Sequence, residues 1–293
     1  MANANRRRLG DRSDGRLLRS LDAFTKFIPF IMKTRNDANN LFADSVEVTE
    51  LDRWLRAKRA EGWKGLGMLH VFVAAYVRTV ALRPAINRFV SGQRIYARNN
   101  IEVVMAVKRS LTDDGSETTI KVELSPEDTI FDVYRKLNMK IDEIKADEGG
   151  NNTERTAEIL GKLPRLVLRF ALWLVSVLDY FGLLPKSLLN VSPFHGSMII
   201  TDLGSLGIPP VSHHLYNFGN LPVFVAFGAK RRTVELDKSG APVERKYLDY
   251  TVDTDERICD GYYYASAFKY MKYYLRNPEL LETPPETVEE DVF

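Results

Sequence analysis

Asp255-Glu256-Arg257-Ile258-Cys259-Asp260-Gly261 is the stretch on which the fold turns. The alternating run before it, Lys246 to Val252, predicts a strand, and the aromatic run after it, Tyr262 to Asn277, predicts a helix. A charged turn between a strand end and an Asp-Gly helix entry holds its side chains on two rigid elements, which suits a functional constellation. About 50 residues earlier stands a second short segment, Ile200-Thr201-Asp202-Leu203-Gly204, and after the helix comes Leu275-Arg276-Asn277-Pro278-Glu279-Leu280.

Working outward, the 293 residues are 45% hydrophobic and 11% aromatic, enough for a sizeable core in one or two domains. Lys plus Arg (41) nearly balances Asp plus Glu (39), so bulk charge gives no argument for nucleic acid. A single cysteine, Cys259, excludes an internal disulfide and zinc sites built on cysteine pairs, and no metal site is expected. Residues 1–20 carry Arg6, Arg7, Arg8, Arg12, Arg16 and Arg19 without an apolar signal segment. They read as a flexible basic arm, and the cytoplasm is the expected compartment. Residues 282–293 hold five acids and read as a solvated acidic tail. Between these ends, with no repeat, low-complexity tract or linker, residues 21–281 read as a single domain.

Within that domain, Ile28–Ala38 predicts a first helix and Leu41–Val48 a strand, with Thr49 as the N-cap of the next helix. Met68–Leu82 is apolar nearly all round and predicts a buried helix, with His70 as a core histidine. Strands follow at Arg88–Ala97, Ile101–Arg109 and, after the turn Asp113-Asp114-Gly115, Glu117–Leu124. Ile130, Tyr134, Leu137, Ile141 and Ile144 form the stripe of a further helix ending at Gly149-Gly150. A hydrophobic helical insertion occupies about residues 151–190. Its apolar part, Leu163–Leu184, is broken by Arg165, Arg169 and Asp179 and is too interrupted to span a membrane. Three readings of it stand: a core helix, a subunit contact, or a helix that meets lipid or a long acyl chain. Strands return at Ser197–Thr201 and Pro222–Phe227, and Arg231–Leu236 pairs with Val243–Val252 across Asp237-Lys238-Ser239-Gly240. Helices alternating irregularly with strands and hairpins predict an α+β fold with a mixed sheet flanked by helices in two layers.

The three motifs resemble those of one family. Asp255 to Gly261 resembles the Asp-His-Arg-x-x-Asp-Gly signature of the dihydrolipoyl acyltransferases, the catalytic domains of 2-oxo-acid dehydrogenase complexes, whose fold is shared with chloramphenicol acetyltransferase. Ile200 to Gly204 resembles that family's Ile-Ser-Asn-Leu-Gly, and Leu275 to Leu280 its closing helix end. Weaker similarity runs back through Leu41–Thr49 and Arg83–Asn87, so that the resemblance covers about residues 28–281. It implies a trimer whose active sites are shared between subunits, and acyl transfer from a coenzyme A thioester to a second thiol or alcohol. It also implies roles. Thr201 stands at the oxyanion-stabilising serine, Arg257 at the motif arginine, and Asp260 at the aspartate held in a structural ion pair. His213, His214 and Asp202 fall where the family's chain passes the substrate channel.

Glu256 stands where the family has its catalytic histidine. A thiol of pKa about 8.5 gives its proton to an imidazole of about 6.5 at a cost of about 2.7 kcal/mol, and to a carboxylate of about 4.3 at about 5.7. The difference is roughly a hundredfold in rate, part of which a carboxylate recovers when buried at a subunit interface. Two readings therefore stand. One is a stand-alone acyltransferase that uses acyl-CoA, with Glu256 as base and Thr201 as oxyanion donor. The other is a catalytically silent trimer or cage acting as scaffold, in which Glu256 makes a salt bridge. With fewer than 30 residues ahead of the first helix, no lipoyl group of its own and no subunit-binding domain are expected, so the acceptor would come from outside. His195, six residues before Thr201, lies about 20 Å from it along a single strand and is no substitute base. Peripheral contact of the Arg-rich arm and the Leu163–Leu184 helix with a membrane is a further possibility.

Overall fold

The structure, a computed structural model, describes residues 8–108, 117–146 and 159–293. The expected turn at Asp113–Gly115 and the helix end at Gly149-Gly150 lie outside these residues.

The body is a six-stranded mixed sheet built from β2 (Asn39–Glu47), β5 (Ile101–Lys108), β6 (Glu117–Leu124), β7 (Met198–Asp202), β8 (Val223–Leu236) and β9 (Pro242–Asp255). Their order across the sheet is β2-β9-β8-β7-β5-β6. β7 runs parallel to both its neighbours and the other pairs are antiparallel. Four helices cover one face: α2 (Thr49–Ala60), α3 (Met68–Leu82), α4 (Ile130–Ala146) and α7 (Gly261–Arg276). α3 is the central one. It lacks a polar face because neighbouring helices and the sheet enclose it, and thirteen of its residues from Met68 to Ala81 are buried. Phe72 stacks on Phe227 of β8, with centroids 4.8 Å apart, and meets Tyr250 of β9 edge-on. His70 is the core histidine expected; its Nδ1 accepts the Gly67 amide at 3.1 Å, closing the start of α3. The α+β, two-layer class read from the sequence is the class observed.

A smaller sheet, β1 (Gly15–Leu17), β4 (Arg94–Arg98) and β3 (Arg88–Ser91), packs beside the first. The expected single strand Arg88–Ala97 is in fact the β3-β4 hairpin. Gly92 and Gln93 take φ of +55° and +57°, the left-handed pair that a two-residue hairpin turn requires. Conversely, the two strands expected at Pro222–Phe227 and Arg231–Leu236 are one strand, β8, that passes through a bulge between Phe227 and Lys230. The first helix, α1, covers Ala23–Ile31 rather than Ile28–Ala38, because Asp22 caps it by accepting the Thr25 amide. Thr49 is the first residue of α2, not its cap, and its hydroxyl accepts the Lys246 amide.

Both chain ends differ from their reading as mobile segments. Arg12 is 3% exposed and paired with Asp14 and Asp179, and β1 pairs with β4, so the described part of the arm is built into the small sheet. Near the C-terminus, the Arg88 guanidinium grips Asp291 with Nε at 2.7 Å, the Glu289 amide reaches the Ala81 carbonyl, and Phe293 lies under Arg16. Net charge suggested solvation, but Asp291 has found the buried Arg88, and Glu282 accepts from Lys58 and the Trp54 indole.

The hydrophobic insertion contributes α5 (Arg165–Tyr180) and α6 (Lys186–Val191). No residue of α5 is buried, which rules out the core-helix reading. Among the described residues no helix is long and apolar enough to cross a membrane.

Candidate active site

β9 carries the motif to the end of the sheet. Asp255, its last residue, is fully buried; its amide is held by the Pro222 carbonyl and its own carbonyl by the Tyr264 hydroxyl. Its carboxylate meets Arg257 in a two-pronged pair, Nε and Nη2 each donating at 2.7 Å, and Arg35 approaches to 3.9 Å. Arg257 spends its remaining Nη1 on the carbonyls of Met32 and Lys33, tying the chain after α1 to the motif turn. A fully desolvated ion pair of this geometry is strongly destabilising to break from one side. Arg257 is thus a structural clamp within the described chain.

Asp260 does not hold the ion pair that the resemblance implied. It is exposed, lies at the N-cap of α7 and accepts the Tyr263 amide at 2.8 Å. The structural pair of this turn is Asp255 with Arg257, at i and i+2, because the strand end points both side chains inward. Cys259 is buried in the core and its thiol is pushed up by burial, which leaves it no role as a nucleophile. Glu256 stands apart from its neighbours. Its amide donates to Ala38, but its side chain is exposed and makes no ion pair or hydrogen bond among the described residues. The salt bridge expected of a silent Glu256 is absent from the described chain.

Thr201 sits elsewhere. It pairs across the sheet with Ala226 and, through β8, with Thr251. Glu256 is two strands away and five residues further along, so the two backbones are separated by roughly 19 Å in one chain. Thr201, Ala226 and Thr251 share the sheet face opposite the helices with Ile199, Phe224 and Asp253, since Ile200, Val225 and Val252 point into the core. The Thr201 hydroxyl is half-exposed and makes no hydrogen bond among the described residues. Asp202 follows it, half-buried, its carboxyl raised above the usual range by burial although it accepts the Ser205 amide.

The segment after β7 then folds back over this face. Gly204 is required there: a Cβ would come within 2.6 Å of the Gly228 carbonyl oxygen. Gly228 is required for the same reason, since a Cβ there would come within 2.5 Å of Pro210, and it lies in the bulge of β8. The Val211 carbonyl accepts the Thr251 hydroxyl, and the His213 amide donates to Asp253 at 3.2 Å. His213 thereby lies flat on Phe224, ring centroids 4.0 Å apart. Phe224 is one pleat from the Ala226–Thr201 pair, which puts His213 within roughly 10 Å of Thr201. Burial lowers the His213 pKa below the usual imidazole value even though Asp253 faces it, and its Nε2 is buried without a partner. Asp253 is 2% exposed, its carboxyl raised by burial despite donors from Asn39 and His213. His214 is exposed beside Tyr216.

The structure therefore brings Thr201 and His213 together on one sheet face with His214 at its edge, turns Asp202 to the opposite face with Phe227, and places Glu256, Arg257 and Asp260 together in a turn well away from them. The acid the sequence reading missed is Asp253. Alternation along β9 put it on the outward face with Asp249 and Thr251, and only the return of residues 208–214 buries it. His195 lies ahead of β7 and not in a single strand with Thr201; it is buried, bonded to Ser192 at 2.7 Å, and lies 3.5 Å from Asp179.

No protein-family model matches this sequence, and no curated protein does. Solved structures do match the fold. A probable dihydrolipoamide acetyltransferase of Listeria monocytogenes is 14% identical, with 88% of this chain and 94% of that one covered at a TM-score of 0.56. The cubic core of the pyruvate dehydrogenase multienzyme complex is 14% identical, with 88% of each chain covered at 0.53. A chloramphenicol acetyltransferase is 13% identical, with 89% of this chain and 99% of that one covered at 0.53. The fold is therefore the one these acyltransferases share, as the three motifs implied.

Proposed function

We propose that the protein is an acyltransferase that takes its acyl group from a coenzyme A thioester and acts as a homotrimer with sites shared between subunits. The observation that carries this is the half-exposed Thr201 hydroxyl, without a hydrogen bond among the described residues, beside the segment that folds over its sheet face in a fold used by acyltransferases. A hydroxyl in that state is available to donate to the carbonyl oxygen of a thioester as negative charge builds on it. His213 Nε2, buried without a partner on the same face, is the group that would orient an acceptor thiol or hydroxyl. Glu256, exposed and unpaired, supplies the carboxylate that takes the acceptor's proton. Because it lies far from Thr201 in its own chain, the reading assigns it to the Thr201 of a neighbouring copy. That a fold relative builds the core of a multienzyme complex supports assembly from such copies. The donor's chain length and the acceptor are open to assay, and a cytoplasmic location goes with the reading.

One observation favours the scaffold reading instead. Every charged residue of the motif turn except Glu256 is committed to structure: Arg257 to Asp255, and Asp260 to the α7 amide. The two readings part in a single experiment. Coenzyme A binding is titrated, then release of free coenzyme A is followed from a panel of acyl-CoA donors, for the wild type beside Glu256→Gln and Thr201→Ala. Turnover that falls in both variants supports the enzyme; a stable assembly without binding or turnover supports the scaffold.

A further inference from the structure

Among the described residues, α5 is held to the body at its C-terminal turn. Its last turn is anchored where Arg12 donates to the Asp179 carbonyl and pairs with the Asp179 carboxylate at 2.6 Å, and Ser91 donates to the same carbonyl. The Tyr180 carbonyl sits so close to Gly92 that a Cβ there would lie 2.2 Å from it. Burial opposes ionisation of Asp179, yet His195 and Arg12 hold its carboxyl at about 2, so the clamp is ionised throughout the physiological range. The helix, roughly 24 Å long at 1.5 Å per residue, lies on the body without a buried residue.

Its free side has a definite composition. Leu166, Phe170, Trp173 and Val177 follow at helical spacing, flanked by Val167 and Leu174, and Leu166, Phe170 and Trp173 are 79, 60 and 58% exposed. Arg165 and Arg169 lie along one edge of this strip, exposed and without an ion pair among the described residues. Beyond the C-terminal end, Tyr180, Phe181 and Leu183 share a groove of about 770 Å³ with Phe30 of α1, whose Phe24, Phe27 and Ile31 form a second exposed apolar stripe. Between residues 159 and 192 the charges are Lys162, Arg165, Arg169 and Lys186 against the single acid Asp179, which is already neutralised by Arg12. An exposed apolar surface of this extent marks a place of contact, and its rim is cationic.

We propose that α5, with α1 across the groove, is an interfacial membrane-binding face that lies in the plane of an anionic lipid surface. The aromatic and aliphatic strip enters the boundary between headgroups and acyl chains, while Arg165 and Arg169 at its edge reach the phosphates. A second copy of the chain fits less well. It would offer the strip apolar surface but bring the same cationic rim, whereas an anionic bilayer complements both the apolar strip and its charge. At 16 residues the helix is too short to cross the hydrocarbon core and the right length to lie on it.

The test is co-sedimentation of the full chain with vesicles of phosphatidylcholine alone and with one-third phosphatidylglycerol. Wild type is compared with the double variants Phe170→Glu/Trp173→Glu and Arg165→Glu/Arg169→Glu. All four positions are exposed, so both variants fold, which circular dichroism checks. Binding to the anionic vesicles only, weakened by salt and reduced about tenfold or more in each variant, is the expected result. A blue shift of the wild-type tryptophan emission on binding, absent from Trp173→Phe, places the strip in the lipid. The proposal is overturned if wild type ignores anionic vesicles or if both variants bind undiminished. It is equally overturned if sedimentation velocity shows the apolar strip sealed in an assembly that Phe170→Glu/Trp173→Glu dissociates.

Discussion

The motif turn and the Thr201 face lie on the same sheet yet are built on opposite terms. In the turn, Asp255, Arg257 and Asp260 all have their partners within the chain, and burial makes the first two interdependent. On the Thr201 face, the hydroxyl and the His213 Nε2 are left without partners among the described residues, and burial holds the Asp253 carboxyl above its ordinary pKa. Groups that have spent their hydrogen bonds hold a fold together; groups held without them are available to a ligand. The stretch most readable as an active-site signature is thus mostly framework, with Glu256 as the one side chain it offers outward.

This contrast predicts which measurement each substitution will move. Arg257→Ala leaves the fully buried Asp255 carboxylate without its close guanidinium, with the residue-257 amide at 3.2 Å and Arg35 at 3.9 Å to compensate, and should cost about 3–5 kcal/mol in a denaturant titration. Thr201→Ala should leave stability within about 0.5 kcal/mol, because the hydroxyl makes no hydrogen bond among the described residues. It should slow acyl transfer by about a hundred- to a thousandfold, with Thr201→Ser retaining most of the rate. If Arg257→Ala proved neutral, or Thr201→Ala destabilising, the division between framework and site would fail.

How much of this was legible in the sequence follows the same line. The strand β9, the helix α7 and their Asp-Gly junction were readable because alternation, an aromatic helix and a cap residue are local signals. So was the buried α3. What could not be read is what a distant segment does on arrival. Asp253 looks solvent-facing until residues 208–214 fold over it, and Arg12 looks like part of a flexible arm until Asp179 meets it from 167 positions away. β8 reads as two strands because the pattern breaks between Phe227 and Arg231, and in the structure that break is a bulge against which Pro210 packs, not a turn.

The next effect is smaller and depends on pH. His70, His195 and His213 all have pKa values lowered below the ordinary 6.5, in each case with burial as the first cause. The unfolded chain therefore binds more protons than the folded one once pH falls below about 6.5, and stability is lost as pH falls through that value toward the lowered ones. Each histidine contributes at most about 1.4 kcal/mol per pH unit. Unfolding midpoints at pH 7.5 and 5.5 should differ accordingly. His195→Gln should shrink the difference, since it removes the most deeply buried of the three.

The smallest expected change in stability is at Glu256, and it is the sharpest test of the comparison. The Glu256 side chain touches no donor in its own chain, so Glu256→Gln should alter the unfolding free energy of the isolated chain by less than about 0.5 kcal/mol. The substitution keeps shape and hydrogen-bonding capacity while removing the ability to take a proton. Turnover should fall by about a hundredfold or more if the carboxylate is the base. Mixing supplies the decisive arm. A Glu256→Gln chain keeps an intact Thr201, and a Thr201→Ala chain keeps an intact Glu256, so hetero-trimers assembled from the two inactive variants should recover a fraction of activity if each site draws one residue from each copy. Activity that stays absent in verified hetero-trimers would place both groups, or neither, in one subunit's site, which the roughly 19 Å between them in a single chain makes untenable for catalysis.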